Sequence, residues 1–561
     1  MTTIQALRLA WQAAPRQVAI QAALTPFQAA IPLIVLWTMK QLIDTTITNF
    51  QTPSADTTTT LLQTLPSLLI FGAAILAMLT TQNFSEVNTL SLTQKTLDHI
   101  TNLIHQKSSS IPYNTLQNPQ YQTKAFRTLT TNPNQPVRTL QTTLSLAQNA
   151  LTLLVLTIWT TTIAWWLPLL TLATAIPTAV ARTRAAHNSA KLIEQQSPDI
   201  QKQQYYHRTL VNPNYTPELR LYGITGYFTK KYDQSRHKAS SDSLALARQT
   251  AVNQTIADTL TTIVIILTTL ATIIALTTSP ASIGTLAMAL MTIRRAQSAA
   301  TQSARNATSL LAQKVHTQNL LDFLNTPVPP SPTSPFPSPF HTITLHDVSY
   351  TYPGNTTPAI KGLNLTIKKG QTVIISGANG TGKTTTAKIL TGLLSPDHGT
   401  ITINDTPLDQ IDPRQTTLHI TALYQNFRLY TDTAAQNIQF GNYAVPPNPQ
   451  RTRQAAQQAD IHDLIDSLPR KYQTILGPDL PEARDISRGQ WQRLALARTL
   501  YSSADIIILD EPSTALDAQT RITLQNTINQ LHQQQKTIII ITHDPLPDIH
   551  TDQLITLHPS T

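Results

Sequence analysis

The 561-residue sequence contains no cysteine. A thiol peptidase needs a cysteine nucleophile, so the chain cannot cleave a leader peptide by that chemistry. The absence of cysteine agrees with any cellular compartment. The sequence is also not hydrophobic on average, since its mean hydropathy is −0.11. We expect no cleavable signal at the start, because residues 1–16 are polar and Trp11 is a candidate interfacial anchor.

Six apolar windows nevertheless precede residue 302, at 18–39, 61–81, 143–163, 165–181, 257–277 and 282–301. Each is close to the length of about 20 residues that crosses a bilayer as a helix. Threonine dilutes their hydropathy, but a threonine hydroxyl can bond to a carbonyl of its own helix and is therefore tolerated in lipid. Trp165 and Trp166, at a turn between windows, are predicted interface anchors. The windows predict a six-helix transmembrane domain over residues 1–325.

Lysine and arginine are concentrated in the long connections after windows two and four, and the loops after windows three and five have none. Because cytoplasmic loops carry excess positive charge, both connections and both chain ends, with Arg8 and Arg16 at the first, are predicted to be cytoplasmic. This pattern explains the pI near 9.6 without a nucleic-acid partner. The basic residues are Lys95, Lys107, Lys124, Arg127 and Arg138 in the first connection, and Arg182, Arg184, Lys191, Lys202, Arg208, Arg220, Lys230, Lys231, Arg236, Lys238 and Arg248 in the second.

A proline-rich stretch at 326–340 predicts an extended linker, and a second domain follows over 341–561. There, residues 377–384 read Gly-Ala-Asn-Gly-Thr-Gly-Lys-Thr, between an apolar run at 372–376 and a helical stretch at 383–394. This order of strand, loop and helix predicts a phosphate-binding loop for ATP, with Lys383 on the β- and γ-phosphates and Thr384 on Mg²⁺. The predicted nucleotide contacts in this loop are Gly377, Ala378, Asn379, Gly380, Thr381, Gly382, Lys383, Thr384 and Thr385.

A second motif ends an apolar strand at Asp510 and Glu511. A carboxylate is costly to bury without a nearby cation, which favours an Mg²⁺-binding role for Asp510. Glu511 is then placed to polarise the attacking water. The alternative is an acidic pair at a strand end that reaches solvent.

Residues 341–561 resemble the nucleotide-binding domain of an ATP-binding cassette (ABC) transporter. Residues 486–490, Ile-Ser-Arg-Gly-Gln, are similar to the family's signature, which caps the nucleotide on the opposite subunit. The resemblance implies that Ser487, Gly489 and Gln490 contact that nucleotide. It also implies that Gln425 contacts Mg²⁺ and water and that His543 contacts the γ-phosphate.

Two further positions are read from the same resemblance. Tyr352 matches the aromatic residue that stacks on adenine, although Tyr350, two residues away on the same strand face, is an alternative. Asp517 lies where the family has its D-loop, and a helix N-terminal acid is the alternative interpretation. The resulting fold class is an all-α six-helix transmembrane domain followed by an α/β P-loop NTPase domain of ABC type.

The whole chain resembles an exporter-type half-transporter, which implies an ATPase that works as a dimer in the lipid bilayer. Residues 117–122 and 212–223, the latter with Glu218 and Arg220, are similar to its coupling segments. Residues 489–493, Gly-Gln-Trp-Gln-Arg, are similar to a variant of this motif found in bacterial exporters of modified peptides. The implied location is a bacterial plasma membrane. An importer on the same fold and a slowly hydrolysing membrane sensor are the alternatives.

Departures from the family pattern leave some points open. Arg488 replaces the first signature glycine, which is compatible with a tolerant homodimer or with a heterodimer whose partner has an intact signature. Residues 477–479, Gly-Pro-Asp, replace a common Gly-Glu. Arg294 and Arg295 lie deep in window six, where they could meet an anionic substrate, pair with Asp258 or line a wet cavity. The substrate and the direction of transport are not predicted.

Overall fold

The computed structural model describes residues 2–51, 57–119, 121–122, 125, 135–161, 165–173, 176–277, 282–514, 516–543 and 548–558. Lys124 and Arg127 of the predicted first cytoplasmic connection lie outside these residues. The chain forms two compact units. The first contains residues 1–109 and 124–326, and the second contains residues 110–123 and 327–561.

The first unit is helical, with short helices between much longer ones. The described helices of this unit are α1 (Thr2–Ala13), α2 (Pro15–Gln51), α3 (Thr57–Ser110), α5 (Gln135–Thr161), α6 (Leu167–Ala173), α7 (Ile176–Val211), α8 (Thr216–Leu221), α9 (Thr225–Thr277) and α10 (Ile283–Leu324). Helix α8 occupies the second predicted coupling segment. Trp165 and Trp166 lie in a turn just before α6, with Trp165 exposed.

Four helical segments in the described part of the chain are long and apolar enough to cross a membrane: Pro15–Thr48, Thr64–Ser110, Pro136–Thr161 and Thr225–Ile274. They contain window one and most of windows two, three and five. Window four falls on α6 and the start of α7, and window six on the first half of α10. The six-helix count therefore stays a prediction.

Polar side chains in this unit bond within helices and between them. Thr268 Oγ1 donates to the Val264 carbonyl at 2.7 Å, the local bond that makes threonine tolerable in lipid. Gln21 Nε2 of α2 donates to Ser85 Oγ of α3 at 2.8 Å, and both residues are buried. Such a bond between helices fixes their register, because either group would otherwise be unsatisfied.

The second unit begins with a short helix, α4 (Tyr113–Leu116), and resumes at the proline-rich stretch. That stretch forms no regular helix or strand, but its second half packs against the rest of the unit. Phe336 is 5% exposed and stacks on His419, with ring centroids 4.2 Å apart. Phe340 is also buried, so these two rings belong to the core of the second unit.

Two main sheets build this unit. The antiparallel sheet has the order β2-β1-β4-β5, and the parallel sheet has the order β11-β3-β10-β9-β6. The strands are β1 (Thr342–Tyr350), β2 (Ile360–Lys368), β3 (Thr372–Gly377), β4 (His398–Ile403), β5 (Thr406–Pro407), β6 (Ile420–Leu423), β9 (Ile506–Asp510), β10 (Thr537–Ile541) and β11 (Gln553–Leu557), and a separate pair is formed by β7 (Asp432–Thr433) and β8 (Ile475–Leu476).

Strands β9 and β10 are wholly buried, as near-continuous apolar runs in a parallel sheet should be. The helices around the sheets are α11 (Lys383–Leu390), α12 (Pro413–His419), α13 (Ala434–Gln439), α14 (Pro449–Gln458), α15 (His462–Ser467), α16 (Arg488–Tyr501) and α17 (Ala518–Gln533). The predicted helix at 383–394 was too long. Helix α11 ends at Leu390, because Gly392 has φ of +72° and the backbone leaves the helical region.

Candidate functional site

The phosphate-binding loop predicted from the sequence connects β3 to α11. Gly382 is the N-cap of α11 with φ of +86°, and Gly380 has φ of +85°. A Cβ atom on Gly382 would lie 2.2 Å from the Ala359 carbonyl oxygen, whereas one on Gly380 would meet nothing within 4 Å. Gly382 is thus required by packing, and Gly380 leaves open space for a ligand beside the loop.

Lys383 and its neighbours complete this loop. The Lys383 ammonium donates to the carbonyls of Gly377 and Ala378 at 2.8 and 2.9 Å, and the side chain is buried. The Thr381 hydroxyl donates to the same Ala378 carbonyl at 2.8 Å. The lysine charge is therefore held against the loop by groups that a phosphate could replace.

Asp510 ends β9 and is only 1% exposed. Neither carboxylate oxygen has a well-formed hydrogen bond within the described residues. Burial raises the pKa of Asp510, and the nearby Thr384 hydroxyl and Gln425 N–H oppose that shift. An orphaned carboxylate beside a threonine hydroxyl is the oxygen donor set that Mg²⁺ prefers, so these residues fit the predicted metal.

Glu511 brings the predicted catalytic residues together. Its Oε2 accepts from Gln425 Nε2 at 2.6 Å, and its Oε1 lies 3.2 Å from His543 Nδ1. The Glu511 side chain is 10% exposed, and the Thr514 hydroxyl donates to the same Oε2 at 3.4 Å. The acidic pair is therefore largely enclosed, with Asp510 buried and Glu511 10% exposed, and the alternative of a strand end in solvent is wrong.

The backbone at Glu511 is also unusual, because its φ is +50°. Such a conformation is costly for a residue with a side chain and persists where its surroundings enforce it. Here the Glu511 N–H donates to the Ile541 carbonyl of β10 at 2.7 Å. A cavity of about 180 Å³ opens beside it, and its lining includes Gln425, Asp510, Glu511, Thr514 and Arg488.

The two candidate tyrosines have different environments. Tyr350 is 2% exposed, and burial of its phenol raises its pKa to about 12. Tyr352 is partly exposed, and its hydroxyl lies 3.2 Å from Thr385 Oγ1 at the start of α11. The two rings pack edge to face, with centroids 5.1 Å apart. The exposed ring beside the loop is therefore Tyr352, and Tyr350 supports it from the core.

The signature segment starts α16. Ser487 is the N-cap, its Oγ accepts from Gln490 N at 3.3 Å, and Gln490 Oε1 accepts from Ser487 N at 2.9 Å. Within one subunit, Ser487 and Gln490 thus form a capping box, and Gly489 lies in its first turn. Arg488 is exposed and lines a cavity of about 510 Å³ together with Gln425.

Asp517 and Asp479 have local partners. The Asp517 carboxylate caps α17 by accepting from Thr520 N at 2.8 Å, and this bond lowers the pKa of Asp517. Asp479 accepts from the Thr431 hydroxyl at 3.1 Å. Capping alone explains Asp517 in one subunit, as the alternative interpretation had it.

A separate cavity of about 960 Å³ lies within the helical unit, between α2, α3, α5 and α10. It has two cations and one anion, Arg294, Arg295 and Glu86, among apolar side chains such as Val35 and Met291. No ion pair joins either arginine to Glu86 or Asp258 in the part of the chain that the structure describes. The arginines line this cavity, and neither pairs with Asp258 among the described residues.

Comparison with known proteins decides the class of the second unit. Residues 360–514 match the family described as ABC transporter. Residues 360–514 of this unit therefore have the sequence of an ABC transporter domain. The full sequence is 37% identical over 198 residues to an ATP-dependent lipid A-core flippase of Saccharophagus degradans. This alignment covers 35% of the present chain and 33% of the flippase.

Other ABC proteins match over different lengths. A subtilin transport ATP-binding protein of Bacillus subtilis is 30% identical over 311 residues, covering 54% of this chain and 49% of that protein. Human ATP-binding cassette sub-family B member 5 is 34% identical over 200 residues, covering 36% and 16%. The chain spans about a third to a half of the length of the first curated relatives it matches.

Two residues of this site were missed from the sequence. Gln492, which is buried, donates through Nε2 to the Pro512 carbonyl at 2.8 Å and so ties α16 to the residue after Glu511. Lys388 lies over the rings of both Tyr113 and Tyr352, at 5.6 and 6.0 Å from their centroids. The position of Gln492, five residues after Ser487, could have indicated its role from the sequence. The contact of Lys388 with Tyr113, which is far away in the sequence, could not have been predicted.

Proposed function

We propose that the chain is an exporter-type ABC half-transporter that hydrolyses ATP to move a substrate across a membrane. One observation carries the proposal: Gln425, Glu511 and His543 converge beside Asp510, at the edge of the sheet where the phosphate-binding loop begins. Ligands bind at the carboxyl ends of strands in open parallel sheets, which is where this cluster lies. The apolar helices of the other unit supply the membrane-crossing part.

In this proposal the loop and the glutamate divide the chemistry. The Lys383 ammonium moves from the loop carbonyls to the β- and γ-phosphates of ATP, which the loop N–H groups also bind. Thr384 and Asp510 would hold Mg²⁺, which when bound would neutralise charge on the phosphates. Glu511 accepts a proton from the attacking water, while Gln425 and His543 hold its two carboxylate oxygens. Tyr352 stacks on the adenine.

We propose that two such subunits act together, with the signature residues Ser487, Gly489 and Gln490 of one subunit facing the nucleotide of the other. A homodimer is preferred because this chain carries the complete set of proposed catalytic groups. Arg488, which is exposed at the start of α16, is the one feature that favours a heterodimer, because an obligate partner could supply an intact signature. Coupling is proposed for residues 117–122 and for α8.

The location proposed is a bacterial plasma membrane with both termini and the nucleotide-binding unit in the cytoplasm. The excess of lysine and arginine in the two long connections supports this orientation. The match to the subtilin transport ATP-binding protein of Bacillus subtilis, which extends over 311 residues, supports a bacterial exporter of this kind. The proposed substrate site is the cavity lined by Arg294, Arg295 and Glu86.

The decisive experiment measures ATP hydrolysis by the chain purified alone in lipid nanodiscs, with particle mass determined on the same sample. Glu511→Gln is the blank, because glutamine keeps the shape but accepts no proton. We expect a dimer whose turnover falls by about 100- to 10,000-fold in the blank, the usual contribution of a general base.

Two other results are informative. A dimer that turns over no faster than its blank would contradict the proposed catalytic role of Glu511 in a homodimer. A monomer that gains turnover only when a second chain is added would replace the homodimer with a heterodimer. ATP-dependent uptake into inside-out vesicles tests export, and uptake into right-side-out vesicles would instead indicate an importer.

A further inference from the structure

A second group of chemically reactive side chains lies in the nucleotide-binding unit. His532 is in the last turn of α17, and His550 and Asp552 lie just before β11. None of the three contributes to the proposed hydrolysis. We call them the His–His–Asp cluster.

The members of the cluster are close enough to share one ion. Asp552 Oδ1 lies 3.3 Å from His550 Nε2, and Asp552 Oδ2 lies 4.0 Å from His532 Nδ1. The two imidazole rings are 4.3 Å apart between centroids and are tilted by 37°. One ligand atom from each residue falls within 4.8 Å of the other two, the only such group found among the residues that the structure describes.

Contacts with the start of β3 hold two members in place. The Thr372 N–H donates to Asp552 Oδ2 at 2.7 Å, and the Thr372 hydroxyl lies 3.2 Å from His532 Nδ1. The backbone of His550 is fixed by its N–H, which donates to Asn529 Oδ1 at 3.1 Å. The bond from Thr372 N orients the Asp552 carboxylate before a metal binds. The Thr372 hydroxyl holds the His532 ring in place and would release Nδ1 when that nitrogen binds the ion.

We propose that His532, His550 and Asp552 form a zinc-binding site with a water molecule as the fourth ligand. Two imidazoles and one carboxylate suit Zn²⁺, whereas Mg²⁺ and Ca²⁺ prefer oxygen ligands. Zinc–nitrogen bonds of about 2.0–2.1 Å in a tetrahedron place neighbouring ligand atoms about 3.3 Å apart. The separations in the cluster therefore require side-chain movements on the order of 1 Å, and all three side chains are at least partly exposed, so an ion can reach them.

The test uses the full chain in nanodiscs, without a polyhistidine tag and with Mg²⁺ in excess. Zinc chloride is titrated by calorimetry, and Co²⁺ is used as a probe whose visible absorption reports tetrahedral coordination. We expect His550→Ala to remove one zinc site per subunit together with the Co²⁺ absorption. Counting the site lost by this variant separates the cluster from any zinc bound near Glu511 and His543.

The variants are chosen so that loss of zinc binding cannot be explained by unfolding of the protein. His550 has the most exposed side chain of the cluster, and Asp552→Asn keeps an oxygen that can accept from the Thr372 N–H. Both should weaken zinc binding by at least the roughly 10- to 100-fold that loss of an outer-shell partner costs. His346→Ala, at an exposed histidine on β1, is the matched control and should keep the site. Equal zinc stoichiometry in the wild type and both cluster variants would overturn the proposal and leave the cluster as a hydrogen-bonded group only.

Discussion

The phosphate-binding loop allows a direct test of why each of its glycines is needed. Gly380 and Gly382 have nearly the same φ, +85° and +86°. An alanine at either position adopts a left-handed conformation, which costs roughly 1–2 kcal/mol. Only at Gly382 does the added Cβ meet backbone atoms, at 2.2 Å from the Ala359 oxygen. Overpacking of this kind costs about 1–3 kcal/mol more.

Gly382→Ala should therefore be less stable than Gly380→Ala by about 1–3 kcal/mol. Urea unfolding of the nucleotide-binding unit, read by pulse proteolysis of the full chain, measures the difference. Binding of a fluorescent ATP analogue provides the second readout. Gly380→Ala should keep most of its stability yet bind the analogue more weakly, because its methyl group occupies the open side of the loop. Equal unfolding midpoints for the two variants would refute the packing argument.

Three further changes test other parts of the molecule. Gly284→Ala should disrupt the contact between α2 and α10, because the new Cβ would lie 2.4 Å from Asp44 Oδ1; a lower thermal midpoint in nanodiscs is expected, and an unchanged midpoint contradicts it. Phe336→Ala should destabilise the nucleotide-binding unit by about 3–5 kcal/mol, as measured by pulse proteolysis. No loss of stability would show that this stretch is only a linker. His543→Ala should lower the rate of single-turnover hydrolysis by about 100-fold through misplacement of Glu511, with ATP affinity preserved. Equal losses of hydrolysis rate and ATP affinity would argue against a positioning role for His543.

Much of the nucleotide site could be predicted because parallel pairing follows from the apolar runs. Ile541 of β10 is paired with Asp510 of β9 and with Ile375 of β3. The residues that follow these three strands must then meet at one edge of the sheet. That register brings Glu511, His543 and the loop together, and the spacing of the motifs was enough to anticipate it.

Contacts between distant segments could not be predicted in the same way. Hydrophobic periodicity shows which face of a helix is buried but does not identify its neighbour. Asp44, for example, accepts from Ser282 Oγ at 2.8 Å and from Gly284 N at 3.0 Å, across about 240 residues of sequence. The burial of Phe336 in a proline-rich stretch was missed for a related reason, since the composition of a linker says nothing about the pocket beside it.

The two proposed sites of the nucleotide-binding unit share strand β3, and this geometry leads to a last prediction. Thr372 at its start contacts Asp552 and His532, while Gly377 at its end begins the phosphate-binding loop. Five residues of extended strand separate them by about 17 Å. Because β3 is paired on both sides, by β10 and β11, it should not transmit the small side-chain movements that zinc binding needs. Zinc at concentrations that fill the His–His–Asp cluster should therefore leave ATP turnover unchanged. Inhibition that disappears in Asp552→Asn would show instead that β3 couples the two sites, whereas inhibition that persists in this variant would arise at the nucleotide site itself.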